Sequence, residues 1–325
     1  MKNVLSLLEG FYFHCLDIRF SPSSTIQMPY WIGAVLRNRF LYATSQVVGQ
    51  DGMTLFELLD SLPISNSHPC YKTFAGGFPK GYWFDCTTLL HAYSGFTLEE
   101  GRVYTFSLII VGKLAQHVAM FIEALQKMCA EGIGRPKVPL TLIDVKERSG
   151  SLLFAEDKIL CDTLSHPIQW HYCGAPTNEN VSITLKLHTP VSLFSRNRKS
   201  KNGMGYQDKM NQFPSFYQFM RSVVYRLLTL NMLYVNNESI APAENIEAFV
   251  AEAANAMLLQ ANIRYVTRNS TPKVGADNVY TMGGYCGTLT FGQVSSYYLP
   301  LLLLGSFVGV GNDINFGLGQ FEVNY

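Results

Sequence analysis

The stretch SITLKLHTPVSLF, residues 182–194, sets Ile183, Leu185 and Leu187 on one side of an extended chain and Ser182, Thr184, Lys186 and His188 on the other. Strict alternation marks a β-strand with one buried and one polar face. Downstream, Phe216, Phe219, Met220, Val223, Leu227 and Leu230 recur at helical spacing, with Arg221 and Arg226 off the stripe. An Ala- and Glu-rich helix is expected over 242–260. Strands at 263–267 and 285–291, an apolar helix near 295–307 and a last strand at 316–323 complete this half.

The same order stands upstream. A strand at 11–20 precedes a helix opened by Pro29 and running through Ala34, Leu36 and Phe40. A buried strand at 102–111, a helix at 114–131 stopped by Gly132 and Gly134, and a closing strand at 138–145 follow. Residues 50–80 carry Gly and Pro without a sustained period and are expected to be a surface insertion. Two successive βαββαβ units predict an α+β fold of two tandem ferredoxin-like (RRM-like) domains, 1–160 and 161–325. Each would be a four-stranded sheet with helices on one face and the other face open.

Composition agrees with that division. A chain of 325 residues, at about 150 per domain, has room for two cores, and 48% apolar residues exclude intrinsic disorder. Lys plus Arg is 25 against 24 acids, so the net charge of +1 creates no chain-wide field. Any polyanion must then be held by a local patch. One runs through Arg196, Arg198, Lys199, Lys201 and Lys209 against Asp208 alone; a weaker one gathers Arg264, Arg268 and Lys273. The seven cysteines stand singly with no CxxC, which fits a reduced, cytoplasmic protein without structural zinc. The apolar run at 297–311 contains Pro300 and is about half a bilayer span, so it is assigned to a core and no membrane partner is expected.

The C-terminal GVGNDINFGLGQFEV places Gly309, Gly311, Gly317 and Gly319 in a GxGxxxxxGxG pattern after a helix and before the last strand. Glycines at that density let backbone N–H groups face a phosphate, or else form a helix cap and a tight turn. No Lys-Ser or Lys-Thr follows, which argues against a nucleotide-binding P-loop.

With these segments in hand, the chain resembles the RAMP-superfamily CRISPR-associated endoribonucleases that cut precursor CRISPR RNA within its repeats. The resemblance is carried by residues 105–145, LKLHTPVSLF at 185–194, FYQFMRSVVYRLLTL at 216–230, RYVTRNS at 264–270, GGYCGTLTF at 283–291 and residues 299–323. It implies two ferredoxin-like domains, a glycine-rich loop near the RNA, and metal-independent cleavage through the ribose 2′-hydroxyl with no cofactor. It also implies CRISPR repeat RNA as partner, with other CRISPR effector subunits and a second copy of the chain as further candidates. Relatives carry His and Lys in the loop at positions aligning with Gly309 and Asn312, so their chemistry does not carry over there. A catalytically inactive RNA-binding subunit is the alternative.

Attack by a 2′-hydroxyl needs a proton acceptor, a proton donor and a positive charge near the phosphate. His188 is the preferred proton-transfer group because alternation places Lys186 and Thr184 beside it; His14, on the first strand, is the second histidine candidate. The family also places active-site groups on the first helix, which points to Tyr30, Arg37, Arg39 and Tyr42. The expected catalytic set is His188, Lys186, Tyr30 and His14. The expected RNA-binding set is Arg196, Arg198, Lys199, Lys201, Lys209, Arg37, Arg39, Arg268, Lys273, Gly309, Gly311, Asn312, Gly317 and Gly319.

Overall fold

Phe13, Leu16, Ile18 and Phe20 are buried along the first strand while Asp17 and Arg19 stay half-exposed, so one edge-to-edge pattern creates both an inner and an outer surface. The computed structural model describes residues 4–28, 32–75, 77–89, 96–171, 179–193, 213–236, 243–269 and 281–325. In chain order the first half contains β1 (Tyr12–Pro22), β2 (Ile26–Met28), α1 (Ile32–Thr44), α2 (Leu55–Asp60), α3 (Tyr71–Phe74), β3 (Tyr82–Asp85), β4 (Phe96–Leu98) and β5 (Tyr104–Val111). It continues with α4 (Val118–Glu131), β6 (Leu140–Glu147), β7 (Leu152–Ala155), β8 (Lys158–Ile159) and β9 (Ile168–Gln169). The sheet order is β3-β5-β1-β6, extended by β7 and β8, with β9 also pairing with β1. Neighbouring strands are antiparallel, so α1 and α4 supply the crossovers of a βαββαβ unit.

The second half repeats this arrangement. It contains β10 (Asn180–Val191), α5 (Phe216–Asn231), α6 (Ala243–Val250), β11 (Met257–Asn269), β12 (Thr281–Ser295), α7 (Leu299–Val308) and β13 (Phe321–Asn324). Its sheet runs β11-β12-β10-β13. The stripe foreseen on α5 is wholly buried from Phe216 to Leu230, and each fully buried large side chain contributes about 1.5–3 kcal/mol. The tandem ferredoxin-like fold is therefore present.

Several local expectations are corrected. The helix foreseen over 242–260 stops at Val250; a short 3-10 turn follows, and Met257 and Leu258 enter β11 because they pair with Gly292 and Phe291. Sheet pairing outweighs the helix preference of Ala and Glu there. Residues 112–117 form a 3-10 turn ahead of α4. The 50–80 region contains α2, opened by a capping box in which Thr54 and Glu57 bond each other's backbone N–H. Phe316 lies in a 3-10 turn, and the last strand begins only at Phe321.

The two halves meet along a seam of packed rings and hydrogen bonds. The rings of Phe13 and Phe307 lie 5.4 Å apart, and Asn231 Nδ2 donates to the Leu7 carbonyl at 2.7 Å. A methyl group on Gly112 would collide with the Tyr234 carbonyl oxygen. Tyr234 itself is buried, and its hydroxyl donates to the Pro79 carbonyl at 3.0 Å. Tyr234→Phe leaves that carbonyl without its donor, and the expected cost in urea unfolding is about 1–2 kcal/mol; an unchanged midpoint would show that the bond contributes nothing.

Candidate nucleic-acid interface

Alternation along β10 is as the sequence foresaw: Ile183, Leu185 and Leu187 are buried, while Ser182, Thr184, Lys186 and His188 face outward. Strand pairing decides what joins them. Lys186 lies opposite Glu322 on β13 and Thr288 on β12; Thr184 lies opposite Asn324 and Thr290. Further out on the same face, Asn262 pairs with Thr288 and the exposed Arg264 stands two residues along β11. The Thr184 and Thr290 hydroxyls are 3.0 Å apart.

Glu322 joins the two preferred residues. One of its carboxylate oxygens lies 3.2 Å from His188 Nε2 and 3.6 Å from Lys186 Nζ. A carboxylate only accepts, so Nε2 carries the proton and the basic lone pair of the neutral ring is on Nδ1. The arrangement can take up a proton at Nδ1 and present an ammonium beside it. Sequence reasoning missed Glu322, although the period of two in Phe321-Glu322-Val323 is the signal that would have placed it outward.

His14 is corrected as a catalytic candidate. It is 3% exposed, and its Nδ1 lies 2.7 Å from Glu147 Oε1 inside the first sheet. Burial works to raise the Glu147 pKa. Hydrogen bonds from His14 and from the backbone N–H groups of His166 and Ser165 outweigh it, and the carboxyl is held below the usual range. This pair ties the first sheet to the stretch returning to β9.

The glycine-rich bend is also corrected in its details. Its N–H groups are spent inside the protein: Gly309 on Gly305 O, Gly311 on Ser222 Oγ, Asn312 on Ser192 O, Gly317 on Ile314 O and Gly319 on Pro190 O. They do not present an amide nest to a phosphate. Instead the bend packs on α1, where a methyl group on Gly33 would stand 2.6 Å from the Phe316 carbonyl oxygen and 2.9 Å from Gly317 Cα. Beside it Arg226, foreseen off the stripe, is drawn into the seam. Its Nε donates to Val308 O at 2.7 Å, its guanidinium lies 4.9 Å from the Trp83 ring centre, and burial brings its pKa down to about 9.

Of the remaining candidates, Arg37 and Arg39 are half-buried on α1, and Tyr42 is exposed. Arg37 stacks on the Phe316 ring, 4.5 Å from its centre. Arg268 lies on β11 opposite Met282. Tyr30, Arg196, Arg198, Lys199, Lys201, Lys209 and Lys273 lie outside the described residues. Among the described residues, no three His, Cys, Asp or Glu side chains gather as a metal site, and no helix is long and apolar enough to cross a membrane.

The polar face of the first sheet differs in charge balance. Arg148 pairs with Asp17 at 3.2 Å, Arg19 with Asp144 at 2.7 Å, and Lys146 with Asp144 at 3.8 Å. Arg19 and Lys146 thus share one carboxylate there. On the second sheet Lys186 and His188 share a single carboxylate.

These features define a tandem ferredoxin-like chain with one open, cation-bearing sheet face. Residues 185–321 match the family model of the CRISPR-associated endoribonuclease Cas6, which bears out the family resemblance. Residues 72–166 match a second model, described as an N-terminal domain. No curated protein matches the chain. Among solved structures, a partial Cas6-RT-Cas1–Cas2 complex is similar with 12% identity and a TM-score of 0.55, over 98% of this chain and 47% of that one. The Cas6-RT-Cas1–Cas2 complex gives the same identity and TM-score over 98% of this chain and 29% of the other, so the chain spans less than half of either. A Thermus thermophilus Cas6 product complex is similar with 16% identity and a TM-score of 0.54, over 96% of this chain and 100% of that one. These likenesses establish the Cas6 fold.

Protonating Glu147 removes its charge and weakens the acceptor on which His14 and two backbone N–H groups rely. Its lowered pKa means that the stabilisation is complete above the ordinary glutamate value of about 4.3 and is lost as pH falls through the folded-state value. Wild-type stability should fall over that acid range, and Glu147→Gln should flatten that part of the profile in thermal melts taken at successive pH values.

Proposed function

We propose that this chain binds CRISPR repeat RNA and cuts it without a metal, as a precursor CRISPR RNA-processing endoribonuclease. The observation that carries the reading is the convergence of His188, Lys186 and Glu322 on the open face of the second sheet. In this reading His188 Nδ1 takes the proton from the 2′-hydroxyl, whose oxygen attacks the adjacent phosphorus. Lys186 offsets the charge gathering on the phosphate, and Glu322 keeps the ring in the required tautomer. The P–O5′ bond breaks, leaving a 2′,3′-cyclic phosphate on one product. The departing 5′-oxygen gains its proton from Tyr30, the sequence candidate on the approach to α1, and becomes a 5′-hydroxyl.

The basic stretch from Arg196 to Lys209 follows β10 in the sequence and is proposed to hold the RNA backbone. Arg39, Arg268 and Lys273 complete the proposed RNA-binding set. The chain divides near residue 160, with the following stretch returning to β1. The six described cysteines are free thiols, which supports a reducing, cytoplasmic setting. Similar chains occur in assemblies with Cas1 and Cas2, and partners of that kind are proposed here beside a second copy of the chain.

The loss of His and Lys at Gly309 and Asn312 favours a second reading, an RNA-binding subunit that no longer cuts. One experiment separates the two. Purified protein is incubated with its cognate repeat RNA in chelator, and the product ends are analysed. Cyclic-phosphate ends from the wild type, lost in His188→Ala with RNA affinity kept within about threefold, are the expected result. Tight binding with intact RNA would establish the second reading, and unchanged cleavage by His188→Ala would remove that residue from the mechanism.

A further inference from the structure

Four other described arginines are held by carboxylates, Arg19 by Asp144, Arg102 by Glu99, Arg148 by Asp17 and Arg221 by Glu247, and Arg226 by the Val308 carbonyl and the Trp83 ring. Arg37 is held differently. Among the described residues no acid pairs with it; its guanidinium lies 4.5 Å from the centre of the Phe316 ring, and its only polar contact is Nη1 to Asn38 Oδ1 at 3.2 Å. Its Nε is buried and has no hydrogen-bond partner. A guanidinium on a ring face gains electrostatic attraction and orientation without losing its charge, and its fork stays available for a planar or tetrahedral anion.

Both members of the stack are fixed from below. Arg37 is one turn beyond Gly33 on α1, and Phe316 is the residue whose carbonyl oxygen faces Gly33. Phe316 is further tied by its N–H to Asp313 O at 2.8 Å. The ring therefore comes from the glycine-rich bend and the cation from the first helix, and neither half of the chain can supply the pair alone. Both residues keep partial exposure, so the stack is not sealed inside the protein.

We propose that Phe316 is a positioning residue that holds Arg37 as a clamp for one backbone phosphodiester of the bound RNA. This deepens and rests on the reading of the chain as an RNA-binding protein. It assigns a role to the aromatic residue within the bend, and it explains why a loop whose amides are spent internally still matters for RNA.

The test uses a fluorescein-labelled repeat RNA made with 2′-O-methyl riboses, which keeps every phosphate and lacks the attacking hydroxyl. Anisotropy titrations at several salt concentrations give the affinity and its salt slope. Arg37→Ala should weaken binding about tenfold at low salt and reduce the slope by about 0.7, the value for one phosphate of a single strand. Phe316→Leu, which keeps apolar volume and removes the aromatic face, should shift affinity and slope in the same direction. Phe316→Tyr should restore both, and the double variant Arg37→Ala with Phe316→Leu should lose no more than Arg37→Ala. A Phe316→Leu protein with a lower melting temperature but an unchanged slope would overturn the positioning role. Wild-type binding that Arg37→Ala leaves intact would overturn the clamp alone. No binding by the wild type would overturn the RNA-binding reading and the clamp with it.

Discussion

One of the tight contacts between the two halves is made by backbone on both sides. Gly33 on α1 meets the Phe316 carbonyl and Gly317 with no room for a side chain. Much of the molecule follows from that contact. It seats the first helix of one sheet against the bend that feeds the last strand of the other, so β13 can pair with β10 and carry Glu322 to Lys186 and His188. It also sets Arg37 on Phe316 at the opposite side of the bend. A conformationally free loop would serve neither end. The bend is stiff because its N–H groups are satisfied within the protein, chiefly by the carbonyls and hydroxyls of residues 189–192, Ser222 and the bend itself.

Charge is placed unevenly in this nearly neutral chain. The first sheet's polar face consumes its cations in ion pairs with Asp17 and Asp144, and α5 consumes Arg221 on Glu247. The second sheet and the seam hold their cations in other ways. There a single glutamate serves both Lys186 and His188, and Arg37 rests on a ring. Surface pairs of this kind are worth little to stability, about 0–1 kcal/mol each, so their distribution has little consequence for how firmly the chain folds.

The sheet faces were legible in the sequence because alternation is a local property: Ile183, Leu185 and Leu187 inward, Lys186 and His188 outward. The order of elements was legible for the same reason, and the helical stripe from Phe216 to Leu230 is buried as its spacing required. Other features depended on residues far apart in the chain. Nothing local distinguishes His14, locked on Glu147, from His188, which stands in the open; only the pairing of β1 with β6 separates them. Glu322 needed the register of β13 against β10. The glycine pattern was conspicuous, but its purpose was not, since the backbone that crowds Gly317 belongs to Gly33 and that which crowds Gly311 to Ser192, both distant in the chain. Met257 and Leu258 read as helix until β12 lies beside them.

That backbone contact is also where the account is most exposed. Equilibrium urea unfolding of Gly33→Ala tests it directly, because the substitution adds a single methyl group and alanine otherwise favours a helix by about 1 kcal/mol over glycine. The account predicts a net loss of about 1–3 kcal/mol, as for overpacking of a tight interior. A midpoint equal to or above that of the wild type would contradict it, since it would mean that the two halves do not depend on touching there.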